Sequence, residues 1–205
     1  MNNKDRVMES VFELIISKGE TGLSVNDIIK ELNMTKGGFY YYFKSRDELM
    51  EEMIDRFMLK EMKKEIAEAR DSITDIMPIK DRLKRCCFIL PKPGITDDSG
   101  NRVKEYDSGS FFILLYGLMD KYPALKEGYM SFREENLVLI RETLLEGIGR
   151  GIIKKCICPQ SYSELLLAVR DGIVALSMID ENIDIEKKLE TSFETAWNEI
   201  YNEVA

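Results

Sequence analysis

The stretch Thr35-Lys36-Gly37-Gly38-Phe39-Tyr40-Tyr41-Tyr42-Phe43-Lys44 constrains this chain more than any other. Successive residues of a helix lie about 100° apart, so Tyr40, Tyr41 and Tyr42 point in different directions and cannot all share one buried face. At least one phenol must face water or a partner. Phe39 and Phe43 are four apart and fall on one face, which makes them the natural core pair. Thr35 is placed to cap the helix through its hydroxyl. Lys36 falls in the first turn, where the helix dipole disfavours a cation, so stability does not account for it. A helix start that combines Thr, Lys, backbone N–H groups and phenols suits an anion such as phosphate.

The residues before this stretch give it a setting. Ser24 reads as the cap of a short helix, and Asp27, three residues on, comes close to a capping box. Val25, Ile28, Ile29 and Leu32 form its apolar stripe. Asn33-Met34 then makes a tight turn, with Asn able to take the left-handed conformation. Helix, short turn and a second helix with a polar start is the helix-turn-helix arrangement.

From Leu23 to Met53 the chain resembles the DNA-binding signature of the TetR family of transcriptional repressors. The resemblance rests on the capped Ser24 helix, the turn, Thr35-Lys36-Gly37, the Tyr40-Tyr41 pair, Phe43, and Lys44-Ser45-Arg46-Asp47-Glu48-Leu49 opening the next helix. It implies an all-α fold: an N-terminal three-helix DNA-binding domain over residues 1–47, then a helical ligand-binding and dimerisation domain over 48–205. With the local chemistry, it implies that Ser24 and Thr35 bind phosphates. Lys36, Gly37 and Tyr40 would lie near base edges in the major groove, with Gly37 allowing close backbone approach. Tyr41, Tyr42, Lys44 and Arg46 would grip the flanking backbone. The family often has Thr or Ser where Gly38 stands and His where Tyr42 stands. The partners implied are a double-stranded, palindromic DNA operator, a small-molecule effector, and a second copy of the chain joined through the two C-terminal helices.

Composition narrows the reading further. The net charge of −8 argues against nucleic acid, but its distribution does not. Cations and anions cancel over residues 1–47, and from Thr35 to Arg46 there are cations and no acid. A small positive face on an acidic body suits specific binding with weak non-specific affinity. No apolar run reaches the length of a membrane span, and Met1-Asn2-Asn3-Lys4-Asp5 lacks a signal-peptide core, so the expected location is the cytoplasm, without membrane association. The chain has no histidine, which removes the commonest general base and metal ligand and every Ser-His-Asp or Cys-His arrangement. No enzyme activity, cofactor or metal is expected.

The remaining elements read as helices. The first runs from about Lys4 to Lys18, on Val7, Val11, Leu14 and Ile15 with Phe12 beside them, and Gly19 ends it before Thr21-Gly22. Ser45 caps a helix reaching about Arg70, apolar on more than one side, a natural lever between effector and DNA reader. Ile79 to Leu90 follows, broken by Pro91-Lys92-Pro93-Gly94, and Asp97-Asp98-Ser99-Gly100-Asn101-Arg102 reads as a loop. Helices over about Ser108–Lys121 and Ala124–Arg150 follow, the latter ended by Gly147, Gly149 and Gly151. Ser161 or Ser163 caps the next, and Asp184 the last. An effector pocket among the central helices would draw on Phe111, Phe112, Tyr116, Met119, Tyr129, Phe132 and Arg133, with Asp171 as a polar contact. Cys86-Cys87 and Cys156-x-Cys158 leave a thiol- or metal-sensing regulator as an alternative. A helical protein-interaction module is another.

Overall fold

Helix starts in this chain are set by short polar side chains. In the computed structural model, which describes residues 3–19, 23–91, 94–96, 102–106, 108–180 and 182–203, Ser24, Thr35, Ser45 and Asp184 each accept a backbone amide three residues on. Each satisfies one of the four amides that a helix start leaves without a partner. Thr21-Gly22, Lys92-Pro93 and the predicted loop over 97–101 lie outside the described residues.

The chain divides into two compact units. The first comprises residues 1–61 and 92–128. It contains α1 (Asn3–Lys18), α2 (Val25–Glu31), α3 (Lys36–Tyr42), α4 (Arg46–Ile54) and α7 (Ser108–Met119). Gly19 ends α1 with φ +83°, and Asn33 turns α2 toward α3 with φ 49°, a conformation Asn tolerates better than most residues. Phe12, Phe39, Phe43, Leu49, Met53, Phe57 and Leu115 form the core of this unit. After α4 the helix widens into one π-type turn, Asp55–Leu59, before α5 (Lys60–Ser72). Such a turn places one extra residue in the ladder.

One departure from all-α lies in this unit. Strand β1 (Gly94–Thr96) pairs antiparallel with β2 (Arg102–Glu105), in the register Gly94↔Glu105 and Ile95↔Lys104. Arg102, expected in a loop, opens β2. The fold class remains α-helical; the hairpin is a small addition between α6 and α7.

The second unit comprises residues 62–91 and 129–205. It contains α6 (Ile79–Cys87), most of α8 (Pro123–Gly149), α9 (Pro159–Ser177) and α10 (Ile185–Ile200). Ion pairs lace it together: Lys80 with Glu194 at 2.7 Å and Arg82 with Glu146 at 2.6 Å. Gly147 is held to glycine by packing, since a Cβ there would lie 2.5 Å from Ile153 Cδ1 and 3.0 Å from Ile79 Cγ2. Gly151 takes φ +74° just past the end of α8. The start of α9 corrects the sequence reading. Cys158 is its N-cap and Pro159 opens it, because proline's fixed φ suits the first helical position. Ser161 and Ser163 lie inside the helix, and Ser163 is buried and donates to the Gln160 carbonyl at 2.8 Å.

Candidate nucleic-acid interface

Helix α3 is built from the inside out. Phe39 and Phe43 are both fully buried, their rings 5.7 Å apart. They anchor α3 so that the intervening residues must face outward. Tyr41 is 81% exposed and Tyr40 47% exposed, while Tyr42 is half-buried and packs edge-on against Tyr41 at 5.0 Å. The three tyrosines therefore diverge as the helical period requires.

The start of α3 is open. Thr35 Oγ1 accepts the Gly38 amide at 3.0 Å, leaving its own hydrogen able to donate. Lys36 and Gly37 are exposed. A Cβ on Gly37 would meet nothing within 4 Å, so no packing inside the protein demands glycine there. The α2 start is a full capping box: the Asp27 amide donates to Ser24 Oγ and the Ser24 amide to Asp27 Oδ2. The bonds from Ser24 hold the Asp27 carboxyl below its ordinary range.

Two of the remaining candidates differ in character. Lys44 is exposed, and its amide donates to the Glu48 carboxylate. Arg46 is partly buried: its Nε donates to the Leu23 carbonyl at 2.7 Å, which ties the start of α4 to the entrance of α2. Arg46 therefore has a structural role that the sequence reading missed. Lys4 of α1 reaches Glu52 at 2.6 Å and lies 5.0 Å above the Phe43 ring, linking α1 to α4 and to the end of α3.

This helix-turn-helix is also recognised by family. Residues 8–53 match the model of the bacterial regulatory proteins of the tetR family. Over these residues the chain resembles the DNA-binding region of the tetR family. Among curated relatives, an uncharacterized HTH-type transcriptional regulator in the lacX 3′ region of Lactococcus lactis is 44% identical over 54 residues, 26% of this chain and 28% of that protein. The HTH-type transcriptional regulator YwcC of Bacillus subtilis, also uncharacterized, is 27% identical over 174 residues, 81% of this chain and 72% of that protein. Two solved TetR-like structures show the same fold over nearly the whole length. A TetR transcription regulator from Haloarcula marismortui has a TM-score of 0.70 at 13% identity, covering 97% of this chain and 98% of that one. The ketosteroid transcriptional regulator KstR2 of Mycobacterium tuberculosis has a TM-score of 0.62 at 12% identity, covering 98% and 96%.

The residues expected to hold a small-molecule effector divide evenly between the two units. Phe111, Phe112, Tyr116 and Met119 lie on α7 in the first unit. There Phe111 and Phe112 are buried and Phe112 stacks on Tyr116 at 6.4 Å. Tyr129, Phe132, Arg133 and Asp171 lie in the second unit. Tyr129 stacks on Phe132 at 6.3 Å, and Arg133 approaches Asp171 at 3.5 Å. Asp171 also receives Arg170 at 2.9 Å.

Arg170 was not foreseen. It is 2% exposed and donates to the Ile89 carbonyl at 2.7 Å and to Asn136. Asn136 in turn donates to the Cys86 carbonyl at 2.7 Å. The carbonyls at and just beyond the end of α6 are thus satisfied by side chains of α8 and α9. The second unit also holds a groove of about 460 Å³ between α6, α9 and α10, lined by Phe88, Leu166, Val169, Leu189 and Phe193 among others; none of the eight expected effector residues lines it.

The cysteines separate into two kinds. Cys86 and Cys87 are buried, and burial pushes the Cys86 thiol up to about 11 and the Cys87 thiol up as well. Neither offers a thiolate near neutral pH. Cys156 and Cys158 are exposed, and hydrogen bonds from Ser161 lower the Cys158 thiol.

Proposed function

We propose that this chain is a ligand-responsive transcriptional repressor that binds a palindromic operator as a homodimer. The observation that carries this reading is α3: a capped helix start exposing Lys36, Gly37, Tyr40 and Tyr41, held rigid by the buried Phe39–Phe43 pair. In this reading residues 1–47 are the DNA-binding domain and residues 48–205 bind the effector and dimerise. Ser24, Thr35, Tyr41, Tyr42 and Lys44 contact phosphates, while Lys36, Gly37 and Tyr40 face base edges. Arg46 adds charge from behind its bond to Leu23.

A single helix-turn-helix reads too few bases for useful specificity, and two-fold symmetry doubles the site. Support for a dimer through α9 and α10 comes from α9, where Leu165, Val169 and Leu176 leave apolar side chains exposed along one stripe. DNA then requires the paired α3 helices about 34 Å apart, one turn of B-DNA. An effector that binds better to another spacing shifts the population away from the DNA-competent state. Phe111, Phe112, Tyr116, Met119, Tyr129, Phe132, Arg133 and Asp171 are the proposed effector contacts. The proposed place of action is the cytoplasm.

The test is fluorescence anisotropy of the purified protein with duplex DNA from immediately upstream of its own gene, at two salt concentrations. Tight binding that weakens steeply with salt and resists competitor DNA is the expected result. Binding that does not depend on salt would instead favour a protein-interaction module.

A further inference from the structure

Helix α1 is held at both ends by different parts of the first unit. Near its start, Lys4 pairs with Glu52 and covers Phe43, and Asp5 pairs with Arg56 at 2.9 Å. These contacts fix α1 to α4, to the π-type turn after it and to the residue that closes α3. Further along, the partners come from β2 of the hairpin and the residue that follows it. Lys104 Nζ lies 2.6 Å from Glu13 Oε1, and the Tyr106 hydroxyl points at the same oxygen from 3.5 Å. The Tyr106 ring stands edge-on to Phe12 at 5.5 Å, and Phe12 is itself fully buried against Phe57 at 5.1 Å. Lys104 also lies 5.5 Å from the Tyr106 ring centre. A half-exposed ion pair is weak alone. Here it is combined with an aromatic contact to a buried ring, which holds it in place.

We propose that the hairpin is a latch on the DNA-reading module, with Lys104 and Tyr106 as positioning residues that fix α1 through Glu13 and Phe12. This rests on the regulator reading above and adds to it a route by which α7 reaches the reader. Tyr106 stands two residues before Ser108, the first residue of α7. Two residues span at most about 7 Å of chain, so a shift of the first turn of α7 has little slack before it pulls on the latch. Helix α7 carries Phe111 and Phe112, two of the proposed effector contacts. An effector that moves α7 therefore loosens or tightens α1 directly.

The test uses the full-length protein and reverses the two charges singly and together. Hydrogen–deuterium exchange of α1 peptides is followed without DNA in wild type, Glu13→Lys, Lys104→Glu and the double variant, all with full helical circular dichroism. The latch requires α1 to exchange faster in each single variant, by about threefold, and to recover in the double variant. Unchanged α1 exchange in both single variants overturns it. The same proteins are then titrated against the upstream duplex. Long-range charge alone makes Glu13→Lys bind more tightly and Lys104→Glu more weakly. The latch makes both weaker and restores the double variant. Opposite signs overturn it. Wild-type protein that shows no specific binding defeats the regulator reading, and the exchange cycle still decides the latch.

Discussion

Arg46 Nε donates to the Leu23 carbonyl at 2.7 Å across 23 residues of sequence. The bond closes the helix-turn-helix on itself by tying the first turn of α4 to the entrance of α2. Arg46→Ala is expected to destabilise the protein by about 1.5–3 kcal/mol, as for a hydrogen bond from a charged donor. Exchange of the α2 amides should rise in the variant. Unchanged stability would mean that Arg46 serves DNA alone.

Lys36 presents the opposite case. It is exposed at a helix end where its charge is unfavourable. Lys36→Ala should leave thermal stability unchanged or slightly raised and weaken operator binding by about 1–3 kcal/mol if the amine reads a base. A mere phosphate contact would instead reduce the salt slope by about one with little change in sequence preference. Unaltered affinity would remove Lys36 from the contact set.

Gly147→Ala tests packing in the second unit. The new Cβ would sit 2.5 Å from Ile153 Cδ1 and 3.0 Å from Ile79 Cγ2, and both isoleucines are buried. Ile153 Cγ1, at 2.9 Å, and Ile79 Cγ2 are positioned by χ1, which is stiff in a β-branched residue, so they cannot swing away easily. A loss of about 1–3 kcal/mol in denaturant unfolding is expected. A neutral result would show that α8 can move aside.

The Glu146 carboxyl is held below its ordinary range by its bond to Arg82, aided by Arg150. Its folded-state value is thus lower than its unfolded value. The resulting stability is present above the unfolded value and is lost as pH falls through the folded one. Glu146→Gln should therefore lower stability at neutral pH, and the gap from wild type should close in acid. A gap that is constant with pH would show that packing, not charge, is responsible.

Thiol counting discriminates the two cysteine pairs. At pH 7.5 an aromatic disulfide reagent should react quickly with Cys156 and Cys158 and reach Cys86 and Cys87 only on unfolding. Fast reaction of Cys86 in the native protein would reopen it as a sensor.

What the sequence made legible was mostly local. Ser24, Thr35, Ser45 and Asp184 announce helix starts because each oxygen needs only the amide three residues ahead. Asn33 and Gly19 are legible because each tolerates the positive φ that its turn needs. The α9 start was misread from Ser161 and Ser163, although Pro159 carried the signal. The β1–β2 pair is too short for alternation to register, and its partner residues lie in α1. Arg170 defeats periodicity altogether, since a cation on a buried face makes sense only once the Ile89 carbonyl and Asn136 are in place. Aromatic residues on α7 and α8 could be read as apolar, but whether they meet a ligand depends on distances that no helical period encodes. The outward turn of Tyr40 and Tyr41 was legible because three adjacent phenols cannot all be buried.

The π-type turn at Asp55–Leu59 has a consequence for anyone comparing this chain with its relatives. An α-helix has a fixed phase, and one extra residue rotates everything after it by about 100°. Against a relative whose corresponding helix is regular, the correct correspondence needs a one-residue gap inside a helix, where alignments seldom open one. Without it, every residue from Lys60 to Ser72 is matched to a neighbour of its true counterpart, and buried positions are equated with exposed ones.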